Sequence, residues 1–270
     1  MTIDTHVHVW DLSVRDQDWI APDSPVRRDF SLADLAPEAR AAGVEGVILV
    51  QTVTVPEETP ELLALADAHD LVAGVVGWTD LTAAGIGEEL ARLRRLPGGR
   101  HLKGVRHQVQ GEPDPRWLLR PEVLRGLSAV ADAGLAYDLV VLPHQLPACV
   151  EAAARLPGLT FVLDHLGKPP VASATLHPWA ADLRALAELP NTVCKLSGLL
   201  TEAAPDRTVT DLRPYADTAL DAFGPDRIMF GSDWPVSTQA APYGEVLDLT
   251  RELAATEQIL HATAVRVYGL

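Results

Sequence analysis

Eight short apolar runs recur along the 270-residue chain, separated by longer segments that have helical periodicity. Strands that alternate with helices in this way are typical of a parallel sheet. The predicted strands are Ile3 to Val9, Val44 to Val50, Val72 to Trp78, Leu102 to His107, Ala136 to Val141, Thr160 to Leu163, Thr192 to Leu196 and Arg227 to Phe230. Eight parallel strands close a (β/α)8 barrel, and the length suits one such unit. We therefore predict an α/β fold, with a single-domain (β/α)8 TIM barrel over residues 1–270.

The segments between the predicted strands carry helix and loop signals of their own. Pro121 to Gly134 begins with proline in a first-turn position, has a recurring apolar face and stops at glycine, as an amphipathic helix does. Leu12 to Phe30 and Leu200 to Arg213 are instead long polar connections that follow strands. In a barrel, loops after strands lie on the catalytic face. We expect these two to act as lids or specificity loops.

Composition narrows the range of partners. The formal net charge of −15 opposes nonspecific binding to nucleic acid and to anionic membranes. The two cysteines, Cys149 and Cys194, suggest neither a disulfide framework nor a zinc finger. There is no basic segment followed by an apolar one at the start, and no apolar stretch of about 18 residues. We expect a cytoplasmic protein, and the oligomeric state is left open.

The first predicted strand contains a histidine pair, His6 and His8. Alternate residues of a strand point to the same face, so both imidazoles should project together. Histidine is well suited to metal ligation and to proton transfer near neutral pH. The pair therefore favours a chemical site, although two partly exposed histidines of an edge strand would give the same pattern.

Further polar residues follow three other predicted strands. His144 comes after the fifth strand, Asp164 and His165 after the sixth, and Asp233 after the eighth. The carboxyl ends of barrel strands meet at one mouth, where four imidazoles and a carboxylate could bind a divalent metal and activate water. Other interpretations stay open: His144 could begin a helix beside Pro143, and Asp233 could be a turn residue. Asp164 is better suited to orienting a neighbouring imidazole.

Cationic and aromatic residues also lie at strand ends and could recognise a substrate. The cationic candidates are Arg106, His107, Lys168 and Lys195, and the aromatic ones are Trp10 and Trp234. A charge buried in a barrel mouth needs a partner, so these cations either hold an oxygen-rich ligand or pair with Asp164 or Asp233. Structural ion pairing is an equal alternative for Lys195. The tryptophans could cover a sugar ring or simply pack at the rim.

Taken in order, the motifs IDTHVHVWD, GVRH, LDHLGKP, CKLSG and FGSDWPV resemble the amidohydrolase superfamily, and in particular its branch of sugar-lactone and pyrone-dicarboxylate lactonases. The resemblance extends over nearly the whole chain, including the final VRVYGL. It implies a hydrolase in which His6 and His8 form the first-strand pair and His144 and His165 fill the fifth- and sixth-strand positions. Asp233 would be the general base that activates water.

The fourth strand departs from the pattern of many superfamily members. Arg106 and His107 stand where those members have a lysine that bridges two metals. The resemblance thus implies one divalent ion at most, held by the four histidines and Asp233, with zinc the leading candidate. Catalysis by the imidazoles alone, without metal, stays open.

The expected substrate is a neutral aldonolactone, with water attacking the ring carbonyl and His6, His8 and His165 stabilising the oxyanion. Three alternative functions remain beside this prediction. A dicarboxylate lactone would pair with the same cations. A decarboxylase of the superfamily would have similar first- and eighth-strand residues. A noncatalytic barrel that binds sugar acids would keep the pocket without turnover.

Overall fold

A computed structural model describes residues 1–204, 206 and 208–270. Pro205 and Arg207, which belong to the predicted loop 200–213, lie outside the described residues. The described strands are β1 Ile3–Val7, β2 Gly46–Val50, β3 Val72–Gly77, β4 Leu102–His107, β5 Ala136–Leu139, β6 Phe161–Leu163, β7 Thr192–Leu196 and β8 Ile228–Phe230. They form one parallel sheet in sequential order.

The sheet closes through the residues that follow β8. Val7 forms a parallel bridge with Trp234. The Asp233 amide donates to the His6 carbonyl at 2.9 Å, and the His8 amide donates to the Trp234 carbonyl at 2.7 Å. These bonds bring the first and last strands together at the carboxyl-terminal ends of the strands. The predicted (β/α)8 barrel is confirmed.

Helices surround the strands. They are α1 Leu32–Ala41, α2 Glu58–Ala68, α3 Ile86–Arg95, α4 Pro121–Asp132, α5 Leu146–Arg155, α6 Trp179–Ala187, α7 Val209–Phe223, α8 Tyr243–Ala254 and α9 Thr263–Tyr268. One apolar core lies between the strands and the helices, and a second fills the barrel interior. Among the described residues, no helix is both long enough and apolar enough to cross a bilayer.

Several boundaries differ from the predicted ones. β1 ends at Val7 rather than Val9, so His8 follows the strand instead of belonging to it. α7 begins at Val209, inside the segment predicted as the loop 200–213. Thr208 and Asp211 form a capping box there, because the Thr208 amide and hydroxyl both donate to the Asp211 carboxylate at 2.9 Å. The Thr-x-x-Asp spacing of residues 208–211 is thus a sequence signal for the start of α7, inside the predicted loop.

Candidate active site

His6 and His8 lie side by side, as the alternation predicted. Their Nε2 atoms are 3.1 Å apart, and both rings are buried. The Nδ1 atom of His8 is 2.7 Å from the Val50 carbonyl oxygen. A carbonyl only accepts hydrogen bonds, so Nδ1 carries the proton in the neutral His8 ring. The Nε2 atom of His8 then presents a bare lone pair to His6.

His6 has charged neighbours at both of its ring nitrogens. Arg106 Nη1 lies 3.2 Å from His6 Nε2, and Asp164 Oδ1 lies 3.3 Å from His6 Nδ1. Lys195 Nζ also lies 3.2 Å from His6 Nδ1, so a cationic donor faces each ring nitrogen, and the acceptor Asp164 faces Nδ1 as well. Burial holds the pKa of His6 well below its usual value, although the Asp164 charge opposes this shift. The His6 ring is therefore neutral, and its Nε2 faces the Nε2 of His8.

His165 belongs to the turn Asp164–Gly167, which follows β6, and its ring contacts the His6 ring. Its backbone has a φ of 53°, a conformation that non-glycine residues rarely adopt. Its Nδ1 is 2.9 Å from the Ser197 hydroxyl, and its Nε2 is 4.0 Å from Asp233 Oδ1. Burial lowers the pKa of His165 to about 4, so this ring is also neutral at physiological pH.

Asp233 lies at the centre of the imidazoles. Its Oδ1 is 3.5 Å from His8 Nε2 and 3.7 Å from His6 Nε2, in addition to the contact with His165. Burial alone would raise the pKa of Asp233, but the neighbouring imidazoles outweigh it and hold the pKa below its usual value. Asp233 is therefore ionised. Its φ of 61° is a second strained backbone conformation within the site.

This donor set fits one divalent cation. His6, His165 and Asp233 each offer a ligand atom, and these atoms lie within 4.8 Å of one another. Two ligand atoms of a tetrahedral zinc are about 3.3 to 3.6 Å apart, which is close to the spacings around Asp233 Oδ1. His8 adds a further bare nitrogen beside His6. The ligand atoms that converge here would be stabilised by a cation, and His8 and His165 each have a partner at the other ring nitrogen.

The structure corrects the prediction that His144 joins this set. His144 is exposed on a short turn, Pro143–Gln145, outside the cluster. β5 ends at Leu139, so four residues separate the strand from His144 and carry it away from the mouth. The alternative interpretation, in which His144 begins a helical segment beside Pro143, describes what is observed.

Two of the four predicted cationic contacts lie elsewhere. Lys195 is fully buried and pairs with Asp138 at 2.5 Å and Asp164 at 3.0 Å, which is the structural ion pairing considered as its alternative. His107 stacks on Trp117 with ring centroids 4.2 Å apart and contacts Glu112 at 2.8 Å. Neither residue lines the cavity beside Asp233.

The cavity beside Asp233 has a volume of about 100 Å³. Its walls include His8, Trp19, Arg106, His165, Lys168 and Asp233. The predicted aromatic walls, Trp10 and Trp234, are buried away from it. Trp10 instead borders a separate groove beside α2. Trp19 takes the expected place, and its position in the loop 12–30, already predicted to be a specificity loop, was the signal that could have identified it.

Comparison with known proteins identifies close relatives. Residues 3–270 match the family described as Amidohydrolase. An L-fucono-1,5-lactonase of Burkholderia multivorans is 40% identical over 289 aligned residues, which cover 100% of this chain and 96% of the relative. An L-fucono-1,5-lactonase of Burkholderia ambifaria is 38% identical over 245 residues, or 90% of this chain and 83% of the relative. The crystal structure of a Burkholderia multivorans amidohydrolase with bound zinc superposes with a TM-score of 0.94, at 38% identity, over 100% of this chain and 99% of that one.

The His165 side chain occupies the space that a side chain at Gly198 would fill. A Cβ at Gly198 would lie 2.9 Å from both Cβ and Nδ1 of His165, and φ there is +70°. Gly198→Ala should displace the imidazole and lower the affinity for Zn²⁺ at least about tenfold. The measurement is titration of the chelated protein with Zn²⁺.

Gly134→Ala is the matched control, because Gly134 has a similar φ of +64° but open space around its Cβ position. Both variants should lose about 1 to 2 kcal/mol of stability from the left-handed backbone. Equal Zn²⁺ affinity in the two variants would show that His165 does not hold the ion.

Proposed function

This chain belongs to the amidohydrolase family, and we propose that it hydrolyses a neutral sugar lactone of the L-fucono-1,5-lactone type. The observation that carries the proposal is the ionised Asp233 carboxylate, which lies among three imidazoles in the cavity wall. The two lactonase relatives support the substrate class. The lactone hydrolysis predicted from the sequence agrees with the geometry at Asp233 and with these two relatives.

The charges of the cavity wall favour a neutral substrate over a dicarboxylate. Arg106 Nη1 lies 3.0 Å from Asp164 Oδ2, and Lys168 Nζ lies 3.7 Å from Glu202 Oε1. Within the described part of the chain, every lysine and arginine of the wall thus already has a carboxylate partner, and Asp233 adds a further negative charge. A dicarboxylate lactone would bring two more negative charges without an unpaired lysine or arginine in the described wall to receive them.

Asp233 is the proposed general base. Its carboxylate removes a proton from the water that attacks the lactone carbonyl. Because the imidazoles lower its pKa, it is ionised and ready to accept a proton, but it is a weak base. The attacking water must therefore become more acidic. One divalent ion, proposed to be zinc and held by His6, His165 and Asp233 beside His8, would supply this by lowering the pKa of water and polarising the carbonyl.

Arg106 is the proposed partner of the developing oxyanion. Its Nε donates to Gln51 Oε1 at 2.8 Å, and its Nη2 donates to the Gln51 backbone carbonyl. With Nη1 held by Asp164, the guanidinium is fixed at the cavity wall before the substrate arrives. Such a preorganised positive charge stabilises negative charge that develops on the carbonyl oxygen. Ring opening then frees an alkoxide, to which Asp233 returns the proton.

Trp19 is the proposed contact for the sugar ring. Its indole is 41% exposed at the cavity and packs edge-on against Trp10 at a centroid distance of 5.6 Å. Its Nε1 donates to Gln17 Oε1 at 2.8 Å, and Gln17 itself is buried. Gln17 and Trp10 thus hold the indole in place, and the exposed part of the ring can contact a ligand in the cavity. Aromatic rings of this kind cover the apolar C–H face of a bound ring.

A substrate panel tests the proposed function. We expect kcat/KM for L-fucono-1,5-lactone to exceed that for 2-pyrone-4,6-dicarboxylate by about 100-fold or more, because Arg106 and Lys168 already have carboxylate partners. Proton release followed with a pH indicator measures both reactions, with buffer-only rates subtracted. A preference for the dicarboxylate would make the sugar assignment wrong, and turnover of neither would remove the lactonase proposal.

Asp233→Asn tests the base. The change is nearly isosteric but removes the proton acceptor, so kcat should fall by about 10³-fold or more while the fold is kept. Steady-state kinetics and circular dichroism measure the two effects. Asp248→Asn is the control, since the Asp248 side chain is 71% exposed on α8. Near-wild-type kcat in Asp233→Asn, with chemistry rate-limiting, would contradict the assignment.

Trp19→Ala tests the ring contact. We expect KM for the sugar lactone to rise about tenfold with kcat within about twofold, because the lost contact contributes equally to ground state and transition state. Trp19→Phe should recover part of the loss. Val14→Ala, at a 66% exposed position of the same loop that does not line the cavity, should change neither constant. An unchanged KM in Trp19→Ala would exclude the contact.

A further inference from the structure

Gln110 belongs to the wall of the cavity beside Asp233, and its side-chain amide has no polar partner among the described residues. Its Oε1 atom is buried, and none of those residues donates a hydrogen bond to it. A buried amide oxygen without a donor costs free energy of folding, and such groups are rare in native proteins. Stability therefore does not account for a glutamine at this position.

The other polar side chains of this wall are held by partners within the protein. Those of the wall residues described above have been given with the site. Thr52 and Gln108 also belong to the wall. The Thr52 hydroxyl donates to the Glu58 carboxylate, and Gln108 Nε2 donates to the Thr52 carbonyl at 2.7 Å. Within the described part of the wall, Gln110 is thus the only polar side chain that is not engaged.

The backbone that carries Gln110 is fixed, although its side-chain amide is not. Gln110 lies in the short turn Val109–Gly111, which follows β4. Its backbone amide donates to the Val140 carbonyl at 3.0 Å, and Gln145 Nε2 donates to the Val109 carbonyl at 2.8 Å. The last torsion of a glutamine is broad, so the amide can turn either its oxygen or its nitrogen towards a ligand. The cavity therefore has a hydrogen-bonding group, on a fixed backbone, that the described protein leaves unused.

We propose that Gln110 is a specificity-determining residue, whose amide forms a hydrogen bond with one ring hydroxyl of the sugar lactone. The inference deepens the proposed function and rests on it. A hydroxyl both donates and accepts, so it can pair with either end of the amide. A lactone that lacks this hydroxyl would leave the amide of Gln110 unpaired in a cavity from which the ligand excludes water. The site would therefore discriminate against that lactone.

Gln110→Leu tests the hydrogen bond, because it removes the amide and keeps most of the side-chain volume. With L-fucono-1,5-lactone, we expect kcat/KM to fall about tenfold. Gln258→Leu is the matched control, since it makes the same substitution at an exposed glutamine outside the cavity, and it should leave kcat/KM unchanged. An unchanged kcat/KM in Gln110→Leu would overturn the inference, as would an equal loss in Gln258→Leu.

Monodeoxy lactones, each lacking one ring hydroxyl, show whether the loss comes from a hydrogen bond. For each lactone, the measured quantity is kcat/KM of wild type divided by kcat/KM of Gln110→Leu, in which the intrinsic reactivity of the lactone cancels. We expect a ratio of about ten for the parent lactone and for all but one of the deoxy lactones. The remaining one, which has no hydroxyl for the amide, should give a ratio of about one. A ratio of about ten for every deoxy lactone would overturn the inference, because leucine would then act through the shape of the cavity.

The melting temperature separates a ligand contact from a structural role. Because the Gln110 amide has no partner in the free protein, Gln110→Leu should melt no more than about 4 °C below wild type. A larger loss would show that the amide stabilises the fold and would overturn the inference. If wild type opens no sugar lactone, the proposed function fails and the inference fails with it. If wild type opens the lactone but the ratios do not depend on any hydroxyl, only the inference fails.

Discussion

The site depends on one buried carboxylate, Asp164, which pairs with two buried cations. Its Oδ2 lies 3.0 Å from Arg106, and its Oδ1 lies 3.0 Å from Lys195 and 3.3 Å from His6. Burial alone would raise the pKa of Asp164, but Lys195, His6 and Arg106 outweigh it and hold the pKa well below its usual value. An ionised Asp164 compensates cations that would otherwise be costly in the interior.

A second buried carboxylate, Asp4, joins the first strand, β1, to the segment that follows the last strand, β8. Its Oδ1 accepts from the His6 amide at 3.0 Å and the Ser232 amide at 2.8 Å, and its Oδ2 accepts from the Tyr243 hydroxyl at 3.0 Å. The residues that carry the imidazole pair and Asp233 are therefore tied to one side chain. If β1 moved relative to the segment after β8, Asp4 would stay buried without its hydrogen-bond donors, which costs free energy of folding. The geometry of the site is thus a consequence of how the barrel closes.

The sequence predicted the barrel because apolar runs and amphipathic segments report burial directly. It also placed His6, His8, His165 and Asp233 near one another, since parallel strands end at a common mouth. It could not predict side-chain direction after a strand ends. Lys195, at an inward-facing position, pairs below the mouth instead of lining it. At His144, Trp10 and Trp234, turns and loops determine where the side chains point, and no periodicity encodes their courses. His107 instead ends β4, where it alternates with Arg106 and points to the other face.

The low pKa of Asp233 suits the second half of the proposed reaction better than the first. A weak base accepts a proton only from acidified water, which is the reason that a cation would be needed in this site. Once protonated, however, the same carboxyl is a strong acid. In a lactone the leaving alkoxide stays tethered to the new carboxyl group and can close the ring again unless it is protonated quickly. A strongly acidic Asp233 delivers that proton readily, so one carboxylate can serve both steps.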